Sequence, residues 1–174
     1  MSSTPIYHIT HFRNIAGILQ AEGLLSDSER IRKDLKVVGI AHETLKQRRL
    51  HKRLLMTMFD SLGDYIPFYF ANRSPMLYSI HTGYVEGYDG GQASVVYLVS
   101  DAESVAASTS ELCFTNGQAV EAITEFFNSL DHLNNIDWDV IKDWSWSNRD
   151  DLDRKRRKQA EFLVRNLDQN YWCY

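Results

Sequence analysis

The sequence predicts an α+β domain, in which strands and helices are interspersed without the strict alternation of a doubly wound sheet. Three observations point to this class. Short β-branched and aromatic runs occur early, midway and late in the chain, and helical apolar spacing separates them irregularly. The 174 residues, 44% hydrophobic and 12% aromatic, suffice for one domain with a sizeable core. No repeat, low-complexity tract or Pro/Ser/Gly-rich linker interrupts them, so residues 1–174 read as a single domain.

Pro5 to Thr10 is β-branched and aromatic and reads as a strand. Thr10 stands where it would cap a following helix, in which Ile15, Ile18 and Leu19 recur at helical spacing and which Gly23 would stop. Leu24 to Lys36 is polar and reads as a mobile loop or frayed helix, and a second helix is predicted around Ala41 to Met58. Tyr65 to Phe70, YIPFYF, has strand composition, but Pro67 has no N–H and confines it to an edge, a strand start or a bulge. Ser94 to Ser100, SVVYLVS, predicts a buried strand. Val120, Ile123, Phe126, Phe127, Leu130 and Leu133 fall on one helical face, which predicts a helix over Gln118 to Asn134. A Trp- and Asp-rich stretch, Ile136 to Asp153, leads into a basic run and then Ala160 to Arg165, a strand that begins near an acid.

The formal net charge of −4 argues against coating nucleic acid by global electrostatics, yet positive charge is clustered. Lys46 to Arg53 reads KQRRLHKR and Arg154 to Lys158 reads RKRRK. Such runs are ordinarily solvated faces, and phosphate contact is the sharper alternative. Cys113 and Cys173 form no CxxC pair and read as packing residues. Nothing resembles a signal peptide or a membrane span, which predicts a cytoplasmic location. Glycine-rich nucleotide loops, GxSxG and HExxH are absent, and His8 and His11 lack a third metal ligand at suitable spacing.

Three local patterns remain: Tyr7 to His11 (YHITH) with Asn14 and Ile18-Leu19; Asp64 to Tyr78 (DYIPFYFANRSPMLY); and Arg154 to Val164 (RKRRKQAEFLV). Taken singly they read as a strand with a satisfied histidine, an aromatic core strand, and a basic loop before a strand. In this order, with Gly90-Gly91-Gln92, Val96 to Leu98, Phe114-Thr115 and Ile136-Asp137-Trp138 between them, they resemble the DarT family of DNA ADP-ribosyltransferases over nearly the whole chain. The resemblance implies an ADP-ribosyltransferase-like fold, a split β-sheet core with flanking helices and a central cleft for NAD as co-substrate. It implies transfer of ADP-ribose from NAD onto a base of single-stranded DNA, with thymine favoured and nicotinamide released.

Cleaving the nicotinamide–ribose bond develops oxocarbenium character, so a fixed carboxylate in a water-poor site stabilises the transition state more than the ground state. The resemblance gives that role to Glu161, which would also help deprotonate the accepting base. Without it, Glu161 reads as a strand-edge acid paired with Arg157 or Lys158. His8 and Thr10 share a face of the first strand because side chains alternate with period two, and the resemblance places both against NAD. It adds Gly17 to the NAD contacts and sets His11 and Asn14 at a helix start, where N–H groups favour a phosphate. An arginine that holds the dinucleotide phosphates and assists catalysis is assigned to Arg49, with Arg48 competing for the register. Tyr69, Met76 and Tyr78 would line the nicotinamide pocket or the DNA groove, or else belong to the core. Arg154, Lys155 and Arg157 would contact DNA phosphates, where the family has its substrate-recognition loop.

Two departures from the family are visible. The chain ends thirteen residues after Glu161, where family members usually continue for some tens, and its end, Tyr171-Trp172-Cys173-Tyr174, resembles the family's aromatic terminus. Leu54 to Ser61 is more apolar than the family's Gly/Pro-rich loop, which puts substrate contacts from it in question. The resemblance further implies a monomer whose partners are NAD, single-stranded DNA and a macrodomain-type antitoxin. Alternatives left open are a guanine-modifying enzyme, a transferase acting on protein or RNA, and a nucleic-acid-binding relative with weak or no turnover.

Overall fold

A computed structural model describes residues 3–54, 60–109, 111–145, 147 and 150–165, with the backbone of 167–168. In chain order, β1 (Pro5–His11) passes through a 3-10 turn into α1 (Ile15–Gln20) and β2 (Gly23–Leu24), followed by α2 (Asp27–Arg32) and α3 (Glu43–His51). Next come β3 (Ile66–Tyr69), α4 (Pro75–His81), β4 (Val95–Asp101), α5 (Ala102–Ser108), β5 (Leu112–Thr115) and β6 (Phe126–Phe127). Then follow α6 (Trp138–Lys142), α7 (Arg154–Arg157), β7 (Glu161–Val164) and β8 (Leu167–Asp168). One sheet has the order β4-β1-β3-β7-β5-β6 with every pairing antiparallel, and β2 pairs with β8. The α+β expectation holds.

The sheet is split beside β3, and Pro67 is part of the reason. β3 lies inside the sheet, paired with β7 on one side and touching β1 on the other, so of the three places open to Pro67 the edge is excluded and the strand start holds, Pro67 being the second residue of β3. Tyr69 turns its backbone toward Tyr7 of β1, and Pro67, two residues earlier, turns the same way. The missing N–H therefore falls on the β1 side, where the ladder stops, and the β7 ladder is intact. The free carbonyl of Pro67 accepts a hydrogen bond from His8 Nδ1 at 2.8 Å, so the imidazole occupies the gap where strand pairing would have continued.

Apolar side chains on the two faces of the sheet feed separate clusters. Ile6, Phe68, Phe114 and Phe162 pack on one face with Phe70 and Ile136, while Cys113 and Leu163 pack on the other with Leu54, Leu62 and Val120. This division explains the largest correction. Residues 118–134 do not form the expected α-helix; they turn, pair as β6 and then make a 3-10 helix, Leu130–Asn135. Val120 and Phe126 go to one cluster, Phe127, Leu130 and Leu133 to the other, and Ile123 is exposed. A single helical face could not serve both sides of a sheet.

Smaller corrections have local causes. Thr10 stays in the strand, and the following turn is capped by the His11 ring, which accepts from the Arg13 N–H. The chain leaves α1 through Glu22 at φ 57°, so Gly23 opens β2 and is not the left-handed stop. The polar stretch from Leu24 holds α2, capped by Ser26. α3 ends at His51, short of the expected limit. β4 is an edge strand in which only Leu98 is fully buried. Leu55 to Phe59 and the aromatic end Tyr171 to Tyr174 lie outside the described residues. Among the described residues no helix is long and apolar enough to cross a membrane.

Candidate active site

A cleft of about 620 Å3 opens where β1 and β3 part, a size typical of small-molecule sites. His8, Thr10, Pro67, Tyr69 and Glu161 come from the strands, Gly17 from α1, Arg49 from α3 and Met76 from α4, and the 35–41 loop forms a wall. Among the described residues that line it, Arg13, Arg30, Lys33, Lys36, Lys46 and Arg49 stand against the acids Asp27 and Glu161; Arg30 pairs with Asp27, Lys33 with Glu29 and Lys46 with Glu43, which leaves Arg13 and Lys36 without an ion pair among the described residues. Such a cleft focuses a potential that attracts an anionic ligand.

Glu161 is 2% exposed and held from two sides. Its Oε1 accepts from the Ala119 N–H at 2.9 Å and its Oε2 from Arg49 Nη1 at 2.6 Å. The turn that supplies Ala119 is tied to the strand: Thr115 Oγ1 donates to the Gly117 carbonyl at 2.7 Å and accepts the Glu161 N–H at 3.0 Å. Arg49 is 9% exposed, and its second amino group, Nη2, is buried without a partner among the described residues. Burial opposes the guanidinium charge, but the adjacent Glu161 outweighs it and raises the Arg49 pKa. A buried, unpaired N–H cluster facing a cleft is a group prepared for an acceptor that arrives with a ligand.

Three groups beside this pair, His8, Tyr69 and Cys113, are biased toward their neutral forms. Burial lowers the His8 pKa, only partly opposed by its bond to Pro67, and a neutral ring that donates through Nδ1 keeps Nε2 as an acceptor. Tyr69 lies directly across from Glu161 on β3, and burial together with that carboxylate pushes its phenol well above the ordinary value. The same two causes push the Cys113 thiol up to about 12. Tyr69 Oη rests 3.5 Å from Met76 Sδ. At Gly17 a Cβ would meet nothing within 4 Å, so any larger residue would project into the cleft space.

The structure sorts the expected residues. Glu161, Arg49, His8, Thr10, Asn14, Gly17, Tyr69 and Met76 all line the cleft. Asn14 is already engaged: its amide bonds Thr10 Oγ1 at 3.1 Å and both backbone groups of Val38, at 2.9 and 3.0 Å, and so fastens the 35–41 loop. His11 lies on the opposite face of β1, stacked on Phe12 and edge-on to Tyr88. Arg48 is a correction; one position from Arg49 on α3, it points away to Glu121 and the Val120 carbonyl. Tyr78 is another, 48% exposed on α4 and outside the cleft, because it stands two residues from Met76 on a helix.

The basic run also differs from expectation. Arg154 pairs with Asp143, and Arg157 with Asp137 and Asp151. Arg156 grips Asp153 through two bonds of 2.6 Å, and the buried Lys158 donates to the carbonyls of Val140, Ile141 and Asp143 at the end of α6. Lys155 is exposed. None of Arg154, Lys155 and Arg157 lines the cleft; the run braces the approach to Glu161. Sequence reasoning missed the Ala119 N–H, which carries no side-chain signal, and the part of the cationic wall made by Arg13, Arg30 and Lys36; Lys46 belongs to the basic run that it had singled out.

A family model described as ssDNA thymidine ADP-ribosyltransferase, DarT, matches residues 7–167, a span that holds every cleft residue named above. The chain belongs to the DarT family. Among curated DarT relatives, the DNA ADP-ribosyl transferase of Thermus sp. (strain 2.9) is 39% identical over 161 residues, covering 92% of this chain and 74% of that protein. The Escherichia coli O127:H6 enzyme of the same name is 31% identical over 160 residues, 91% of this chain and 72% of that protein. The structure of Thermus sp. 2.9 DarT in complex with ADP-ribosylated ssDNA superposes with a TM-score of 0.85 at 37% identity, over 93% of this chain and 75% of that one. The complex of that DarT with NAD+ gives 0.84 at 34%, over 99% and 80%.

Proposed function

We propose that this protein is an NAD-dependent DNA ADP-ribosyltransferase. It transfers ADP-ribose from NAD+ onto a base of single-stranded DNA, thymine by preference, and releases nicotinamide, acting as one domain in the cytoplasm. The observation that carries this reading is the buried Glu161–Arg49 pair, with its unpartnered Nη2, in the cleft that His8 and Thr10 also line. The Thermus relatives in complex with NAD+ and with ADP-ribosylated ssDNA support both substrates, and the family description supports thymidine.

In the reaction the bond from ribose C1′ to nicotinamide breaks, nicotinamide leaves with the electron pair, and a base nitrogen bonds C1′. The Glu161 carboxylate stabilises the positive charge that develops on the ribose and takes the proton lost by the base. Arg49 fixes that carboxylate and offers Nη2 to an oxygen of the dinucleotide. His8 Nε2 accepts from a ribose hydroxyl and Thr10 flanks it, Gly17 leaves room for the co-substrate, and Tyr69 and Met76 flank the reacting bases. The cationic wall offsets the diphosphate charge. A partner of macrodomain type that removes ADP-ribose from DNA fits this activity; a Thermosipho africanus relative, 25% identical over 159 residues, is a fusion of DNA ADP-ribosyl transferase and DNA ADP-ribosyl glycohydrolase.

The test is mass spectrometry of single-stranded oligonucleotides incubated with the protein and NAD+. One oligonucleotide contains thymine without guanine, the other guanine without thymine. An added ADP-ribose on the thymine strand, lost with Glu161→Gln, is the expected result. Modification of the guanine strand alone removes the thymine preference, and no mass increase on either strand removes the activity.

A further inference from the structure

We infer that Arg73 and Trp144 form a ledge outside the cleft on which an unpaired base of the substrate strand stacks, next to the nucleotide that is modified. The inference rests on the single-stranded DNA reading above. The Arg73 guanidinium carbon lies 3.4 Å from the centre of the Trp144 ring. Both side chains are nonetheless open to solvent, Trp144 at 76%. A stacked cation that served only to pack the indole would cover it; here most of the ring surface stays free for another flat partner.

Charge singles out the same place. The basic run on α7 is the conspicuous candidate for phosphates, but Arg154, Arg156 and Arg157 are each paired with carboxylates. Arg73 makes no ion pair among the described residues and is exposed to solvent. An aromatic face beside an unneutralised guanidinium is the combination that binds single strands without reading sequence: any base can stack, and the cation meets the adjoining phosphate. A duplex cannot use such a ledge, because its base faces are already covered.

The position suits a strand whose target base enters the cleft. Arg73 lies between β3 and α4, four residues after Tyr69 and three before Met76, both of which line the cleft. Three residues span at most about 11 Å. Trp144 follows Asp143, whose carbonyl is held by Lys158 at 2.6 Å, and Lys158 stands three residues before Glu161. Tyr97 of β4 donates to the carbonyl of Asn72, which anchors the Arg73 segment. The ledge is thus fixed to the chain segments that carry the reacting site, without being part of it.

The test measures fluorescence anisotropy of a labelled thymine-containing single strand titrated with full-length protein in the absence of NAD+. Trp144→Ala and Arg73→Ala are each expected to weaken binding about 5- to 140-fold, the range for loss of one stacked base, whereas Trp144→Phe stays within about threefold. Melting temperatures of the three variants serve as the folding control. In turnover, Trp144→Ala raises KM for DNA and retains kcat. Binding of the single strand by Trp144→Ala and Arg73→Ala within twofold of wild type overturns the ledge. So does an equal loss of affinity for the matching duplex. The ledge is judged on anisotropy alone, so wild-type protein that binds the strand but adds no ADP-ribose to it refutes the proposed activity and not the ledge.

Discussion

Replacing Arg49 by Met is expected to reduce stability sharply, because Glu161 would then be a buried carboxylate with one N–H donor, that of Ala119. The pair is close to fully enclosed, with side-chain exposures of 11% and 2%, so solvent screens little of the interaction. Removing one member of a buried ion pair costs about 3–5 kcal/mol, most of it the penalty of the uncompensated charge. For a domain of this length each kcal/mol corresponds to about 2–4 °C, so Arg49→Met should melt about 6–20 °C below wild type. Adding Glu161→Gln removes the stranded charge while keeping an acceptor for Ala119, and the double variant should regain most of the loss. Thermal unfolding of the four proteins by circular dichroism at pH 7 gives the whole cycle. A single variant that melts within 3 °C of wild type, or a double variant less stable than Arg49→Met, would refute the account of this pair as charge held by charge. All three variants should be inactive in the oligonucleotide assay.

Other consequences follow from the surroundings of the site. At Gly117 a Cβ would collide with Arg156 Nη1 and lie 2.8 Å from its Cζ, and Asp153 pins that guanidinium. Gly117→Ala should therefore shift the turn and draw the Ala119 N–H from Glu161, lowering kcat at least about tenfold with DNA binding unchanged; wild-type kcat would contradict this. Lys158→Met strands three carbonyls at the end of α6 and should cost about 3 kcal/mol in urea unfolding, where a loss under 1 kcal/mol would show that water replaces the ammonium. His8 has a folded pKa below its unfolded value, so the unfolded chain binds more protons as pH falls through about 6.5, and its contribution to stability declines from there until the folded ring also titrates. Relative to wild type, His8→Asn should flatten the loss of stability between pH 7 and 5, and parallel curves would mean that the ring does not titrate differently on folding.

The sequence by itself determined the strands around β1, β3, β4 and β7, because alternation and β-branching are local properties that survive in any context. It also determined the order of the DarT patterns, which single out Glu161, His8, Thr10 and Gly17. Register on α3 was not legible: Arg48 and Arg49 are identical residues one position apart, and only the packing of that helix turns Arg49 to Glu161 and Arg48 to Glu121. The helix expected over 118–134 failed because apolar spacing records that residues are buried and not which side of a sheet buries them. Arg154 and Arg157 read as available for DNA because the Asp-rich stretch before them shows that acids are near but not which arginine each acid meets; folding pairs them with Asp143, and with Asp137 and Asp151. Pro67 reads in one dimension as a mark of an edge, a strand start or a bulge, and becomes, in three, the residue near the start of an inner strand beside which two central strands part. Local chemistry is written in the order of residues; what each charge and each apolar face meets depends on segments far along the chain, and only the folded structure brings them together.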